Sequence, residues 1–126
     1  MLTKVMRVTL VVRDQDEALR WYIEKLGFVK RADNDMGPMR WLTVAPAKQK
    51  AIEIVLADPK WYGSKDLIGK STTMVVESDD CMADYETLKK SGVEFTGPPK
   101  REPWGVSAVF HDLYGNPWNI LQPTGS

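Results

Sequence analysis

Residues 5–28 read Val5-Met-Arg-Val-Thr-Leu-Val-Val-Arg-Asp-Gln-Asp-Glu-Ala-Leu-Arg-Trp-Tyr-Ile-Glu-Lys-Leu-Gly-Phe28, and their pattern decides the fold. Val8, Leu10 and Val12 alternate with Arg7, Thr9 and Val11, the period of two that a strand shows when one face lies on a core. Asp14 stands where a helix cap belongs, with Glu17 three residues on at capping-box spacing. Ala18, Leu19, Tyr22, Ile23 and Leu26 then recur at three and four, which predicts one apolar helix stripe against a sheet. Gly27 supplies the left-handed residue that ends the helix, and Phe28 begins a second extended run.

Working outward, the order of elements repeats. Residues 28–32 and 39–45 read as strands around the polar turn Asp33-Asn-Asp-Met-Gly-Pro38. In the second of these, Leu42 and Val44 face one way, Trp41 and Thr43 the other. The run Ala51-Ile-Glu-Ile-Val-Leu56 is strongly strand-like, with Ile52, Ile54 and Leu56 on one face and Glu53 on the opposite one. A loop over 58–70 follows, long enough for a linker or a flap. A strand at 71–77 then leads to Asp79-Asp80 at a cap position and to a helix stripe of Met82, Tyr85 and Leu88. Residues 93–96 are extended, 97–103 a rigid proline-rich loop, and 106–110 and 118–122 strands around a tight turn at Asp112-Leu-Tyr-Gly-Asn-Pro117. A shift of about 65 residues lays Gly27-Phe28 on Gly92-Val93. The reading is one α+β domain of two βαβββ modules, about 4–57 and 71–123, joined by loop 58–70.

Composition narrows the function classes. The 126 residues carry 17 basic and 17 acidic side chains, a net charge of zero. Such balance argues against a nucleic-acid partner, whose affinity comes largely from neutralised phosphates. Apolar runs reach only strand length, so no membrane span is expected, and the first residues lack a signal-peptide core. A single cysteine, Cys81, rules out an internal disulfide and suits a cytoplasmic location. The closing Thr124-Gly-Ser126 has the look of a cloning remnant and plays no part here.

The run Val8-Thr-Leu-Val-Val-Arg-Asp-Gln-Asp-Glu-Ala-Leu-Arg-Trp-Tyr-Ile-Glu-Lys-Leu-Gly-Phe28 resembles the opening signature of the vicinal oxygen chelate superfamily, which includes glyoxalase I, bleomycin-resistance proteins and extradiol dioxygenases. Phe110-His-Asp-Leu-Tyr-Gly-Asn-Pro-Trp118 is similar to that family's closing turn, and Lys89-Lys-Ser-Gly-Val-Glu-Phe95 to the matching stretch of its second half. These motifs are turns, caps and core positions, so they speak to fold more than chemistry. The resemblance implies strands curling into a partly open barrel, a homodimer and, in catalytic members, a divalent metal held by two histidines and two glutamates. Carried onto this chain, those positions are Arg7, Glu53, Thr73 and Asn119, of which only Glu53 is a ligand of the expected kind.

The residues themselves point the same way. A catalytic transition-metal site usually needs about three nitrogen or carboxylate donors, and the chain has one histidine, His111. Arg7 puts a fixed positive charge where the cation would sit. No cofactor is expected. Arg7 and Glu53 form either a structural ion pair or a clamp for a small molecule, with Thr9, Thr73 and Asn119 adding hydrogen bonds and Trp41 an apolar wall. If that pair is deeply buried, Arg7→Ala should cost on the order of 3 kcal/mol. His111 reads as a surface strand end, and Cys81 as an apolar filler beside a cap more than as a thiol of lowered pKa. Three functions remain open: a metal-independent binder of a small organic, anionic or aromatic ligand; a metal-dependent lyase, isomerase or dioxygenase with non-standard ligands; and an interaction module without a ligand.

Overall fold

The structure, a computed structural model, describes residues 1–124. It divides into two units, Met1–Gly69 and Lys70–Ser126, each a small sheet with one α-helix of about three turns laid on it. The first unit runs β1 (Arg7–Val11), α1 (Gln15–Leu26), β2 (Phe28–Asp35), β3 (Arg40–Pro46) and β4 (Glu53–Ala57). Its strands stand in the order β1-β4-β3-β2, with β1 parallel to β4 and the other pairs antiparallel. The second unit runs β5 (Met74–Glu77), α2 (Cys81–Lys90), β6 (Glu94–Phe95), β7 (Lys100–Glu102), β8 (Gly105–His111) and β9 (Pro117–Pro123). There the order is β5-β9-β8-β6, with β7 also paired to β8. The fold is mixed α+β, two open sheets of four and five strands, neither closed into a barrel.

Local chemistry explains the first unit. The Asp14 carboxylate accepts from the Glu17 amide at 3.0 Å and satisfies a donor that the first helical turn leaves free. Gly27, at φ 71°, donates its amide back to Ile23 and turns the chain into β2. α1 packs on β2, β3 and β4. Ala18 and Tyr22 are fully covered, together with Leu10, Val12, Leu42, Val44, Ile54 and Leu56 from one face of the sheet. The Tyr22 ring meets Phe28 at 5.7 Å and Trp21 edge-on at 5.1 Å. Ile23, expected in the stripe, is 41% exposed. The buried arc is narrower than the apolar one.

In the second unit Asp80 caps α2 through the Ala83 amide, and Cys81, Ala108, Phe110, Trp118 and Ile120 are buried. Phe110 stacks on Trp118 at 6.1 Å and meets Phe95 at 5.6 Å, while Tyr85 sets its edge on Phe95. Gly105 is required: a Cβ there would stand 2.2 Å from the Gln122 carbonyl oxygen on β9.

Several boundaries differ from the sequence reading. β2 continues to Asp35, through what the polar composition marked as a turn, because its pairing with β3 supplies hydrogen bonds that composition cannot reveal. Ile52 lies before β4 and is 37% exposed, so it does not join the Ile54–Leu56 face. The proline-rich loop holds a short strand, β7, paired with β8. β5 begins at Met74, which leaves Thr73 outside the strand. Loop 58–70 carries a single 3-10 turn, Lys65–Leu67, capped by Ser64.

Candidate functional site

The face of the first sheet turned away from α1 holds the sequence-predicted charges. Arg7 and Glu53 are directly opposite each other on the parallel strands β1 and β4. Opposed residues leave a pleated sheet on the same face, so two long side chains of opposite charge rise side by side. Arg7 Nε stands 3.7 Å from Glu53 Oε1. That distance gives attraction but no hydrogen bond. Both atoms are buried and make no hydrogen bond, although the two side chains as wholes are 33% and 31% exposed. The inner edges of the pair are shut from water and the outer edges are open. Trp41 on β3 completes the group, with the Arg7 guanidinium carbon 5.3 Å from its ring centroid, a cation–π contact.

Thr9 lies two residues along β1 from Arg7, on the same face and opposite Val55. Val55 in turn stands opposite Thr43 of β3. Thr43 is fully buried and its hydroxyl makes no hydrogen bond, so this face carries a third unsatisfied polar atom. Sequence reasoning passed over Thr43, although the alternation that put Trp41 on this side put Thr43 there too.

The other two candidates belong to the second unit. Asn119 on β9 has Val75 of β5 and Val109 of β8 opposite it. Its amide oxygen is buried with no hydrogen-bond partner. Thr73 is exposed and precedes β5, and the residue facing Asn119 is Val75, so Thr73 and Asn119 do not form a pair like Arg7 and Glu53. Counting back from the capping aspartate misses this because the register between β5 and β9 is offset by two residues from that of β1 and β4.

The remaining chemistry-bearing residues have structural work. Asp112 accepts from the Tyr114 and Asn116 amides through Oδ1 and from Asn116 Nδ2 through Oδ2, which locks the closing turn at Gly115. His111 ends β8, half-buried, opposite Glu94 and Pro117. Cys81 is fully buried, and desolvation, reinforced by Asp84 and Asp80, pushes its thiol pKa up. That thiol is a filler, not a nucleophile. Of the tryptophans, Trp118 is core, Trp21 and Trp41 are half-buried, and Trp61 and Trp104 are exposed.

A separate hollow of about 330 Å³ on the first unit is lined by Gln15, Asp33, Asp35, Arg40, Asp58 and Trp61 among others. Its polar groups are already engaged. Arg40 donates to both oxygens of Asp33, at 2.8 and 2.9 Å, and to Asp16 at 2.6 Å. The guanidinium holds the Asp33 carboxyl down at about 2, and the two carboxylates push Arg40 up. Gln15 donates to the Arg40 and Leu56 carbonyls, and Asp35 and Asp58 accept from nearby backbone amides. This network ties α1 to β2 and β3, whereas the Arg7 face has hydrogen-bonding capacity left over.

The chain belongs to the Glyoxalase/Bleomycin resistance protein/Dioxygenase superfamily, whose family model matches residues 4–120. It is similar to an uncharacterized protein of Shewanella frigidimarina, 33% identical over 97% of this chain and 95% of that one. Among solved structures it is similar to UcmS2, with 37% identity, a TM-score of 0.85 and coverage of 96% of this chain and 98% of that one. It is similar as well to TnmS3, an antibiotic binding protein from Streptomyces sp. CB03234, with 35% identity, a TM-score of 0.83 and 98% of both chains covered.

Catalytic members of the superfamily are expected to hold a divalent cation, and the donor set here does not fit one. Among the described residues no three His, Cys, Asp or Glu side chains gather at a point. At the expected positions Glu53 already faces a permanent cation, the Arg7 guanidinium. Among the described residues, no helix is long and apolar enough to cross a membrane.

Proposed function

We propose that this protein binds a small organic molecule, without a metal ion, on the face formed by Arg7, Thr9, Trp41 and Glu53. One observation carries the reading: the oppositely charged Arg7 and Glu53 side chains stand side by side, 3.7 Å apart without a hydrogen bond between them, and each is about a third exposed. The open outer edges of the pair keep hydrogen-bonding capacity for a small molecule. Trp41 adds an aromatic wall beside them. On the second unit Thr73 and Asn119 are the matching candidates for that sheet's own face, Asn119 the stronger because its amide oxygen is unsatisfied. The antibiotic-binding relative TnmS3 supports a binding role over catalysis.

The working species in this proposal is a cytoplasmic homodimer. The strand orders leave β1 and β2, and β5 and β6, at sheet edges, where unpaired backbone groups favour association.

A thermal-shift screen of aromatic and anionic small molecules, with and without zinc, nickel, manganese or iron, tests the reading, because a ligand of the folded state raises Tm by mass action. Organic compounds should raise Tm without metal, and metals alone should not. A specific shift by one metal, with one-to-one uptake after dialysis, would replace this reading by a metal-dependent one. A monomeric mass in light scattering of the same sample would remove the dimer.

A further inference from the structure

The outer face of α1 carries apolar surface that its own unit leaves uncovered. Ile23 is 41% exposed and Leu19 half-buried, and with Asp16, Arg20 and Glu24 they border a shallow hollow of about 400 Å³. These positions follow the three-and-four spacing of one helix face, on the side away from the buried Ala18 and Tyr22. On α2 the residues exposed at the same spacing, Ala83, Glu86, Thr87 and Lys90, offer no large apolar side chain. The charges on α1 are uncommitted as well. Arg20 and Glu24 are exposed and make no ion pair with each other or with any other described residue, whereas Asp16 is held by Arg40. Arginine ahead of glutamate is also the weaker order for a pair within one helix.

We infer that this face docks against the same face of a second copy, α1 antiparallel to α1, as a contact separate from any at the sheet edges. A two-fold contact brings residue i against j and j against i, so it suits only a face whose charges complement themselves. At about 100° per residue, Leu19 and Ile23 lie along one side of this face and Arg20 and Glu24 along the other. An antiparallel two-fold sets each side against its own counterpart: apolar meets apolar, and the charged side meets the charged side. With the axis crossing between Trp21 and Tyr22, Arg20 of each copy falls within about 1.5 Å of the level of Glu24 in the other, and Leu19 within the same offset of Ile23. Parallel docking would lay the charged side on the apolar one. A single pair of helices buries less than a stable interface needs, so the association is weak and reversible.

Charge reversal tests this. The mass of the intact protein is followed by sedimentation velocity from about 10 to about 500 µM, the range in which so small a contact fills. We expect the mass to rise with concentration through one further doubling. Arg20→Glu and Glu24→Arg, each checked for fold by circular dichroism, should each weaken that step at least about tenfold, since every copy then meets like charges. An equimolar mixture of the two variants should associate as tightly as the unaltered protein, because each supplies the charge the other lacks. Mixing rescues a broken contact but not a damaged fold. Ile23→Ser should weaken the step in every combination. A mass that ignores concentration, a step that ignores both reversals, or a mixture no tighter than its components overturns the inference and leaves α1 a plain solvent face. The homodimer proposed above rests on other surfaces and should survive both reversals, so the two readings fail separately.

Discussion

The two sheets repeat one plan and differ in what they place on the face away from the helix. In the first, a parallel strand pair sets Arg7 against Glu53, with Trp41 over the guanidinium. In the second, the corresponding parallel pair sets Val75 against Asn119, and Val109 flanks the amide on its other side. One face sets a charged pair side by side; the other sets an unsatisfied carbonyl oxygen between two valines, with Glu77, Ser107 and His111 on the same side of the sheet. The Arg40 network with Asp33 and Asp16 also lies in the first unit. Repetition of a fold therefore fixes where side chains stand but leaves their chemistry free to diverge. Here the cross-strand pair of opposite charges, Arg7 and Glu53, lies in the first repeat.

The charged pair offers the largest test of that difference. Arg7→Ala leaves Glu53 facing no cation, and should lower stability by about 1.5 kcal/mol in denaturant unfolding. Full burial would have implied the larger loss expected from sequence, but side chains a third exposed regain water. The double variant Arg7→Leu/Glu53→Leu should recover most of the loss and no longer bind a small molecule on this face. Equal stability and equal binding in single and double variants would erase the contrast between the sheets.

Acid provides the next test. Asp33 has a folded pKa of about 2 against an ordinary 3.8, chiefly from its hydrogen bonds with Arg40. A depressed folded pKa stabilises the protein above the unfolded value, and the contribution disappears as pH falls through the folded one. Between about pH 4 and pH 2 the first unit should lose on the order of 1 kcal/mol, discounted because the carboxylate is part-exposed. Asp33→Asn should flatten that portion of the stability–pH curve; an unchanged slope would remove Asp33 from the account.

The smallest effect sharpens the comparison by treating both sheets alike. Thr43→Val and Asn119→Leu each delete a buried polar atom that makes no hydrogen bond. Each should be neutral or stabilising by about 0.5 kcal/mol, since an unsatisfied buried group costs more than an apolar one of similar shape. A loss beyond about 1 kcal/mol in either would show that the atom has a partner in solution, a bound water above all.

Much of this was legible in the chain. Asp14, Gly27 and the alternation through Val8, Leu10 and Val12 are local signals, each set by a few neighbouring residues, and they mark β1, α1 and the turn into β2. Asp112, Gly115 and Asn116 likewise announce a turn that the structure closes with their own hydrogen bonds. The strand face of Arg7 and of Glu53 follows from the same period of two. What alternation cannot convey is register. That Arg7 meets Glu53, that Asn119 meets Val75 and not Thr73, and that β2 runs on to Asp35 depend on hydrogen bonds between segments far apart in sequence. Burial is decided at the same level: Thr43 and Trp41 alternate identically on β3, yet one is sealed and the other half-open. By itself the sequence determined the caps, the turns and the two βαβββ repeats, because their causes lie within a few residues. Only the tertiary structure decided which polar atoms lie buried without a hydrogen bond, because that depends on what packs above them and how far apart the pairing of strands holds them.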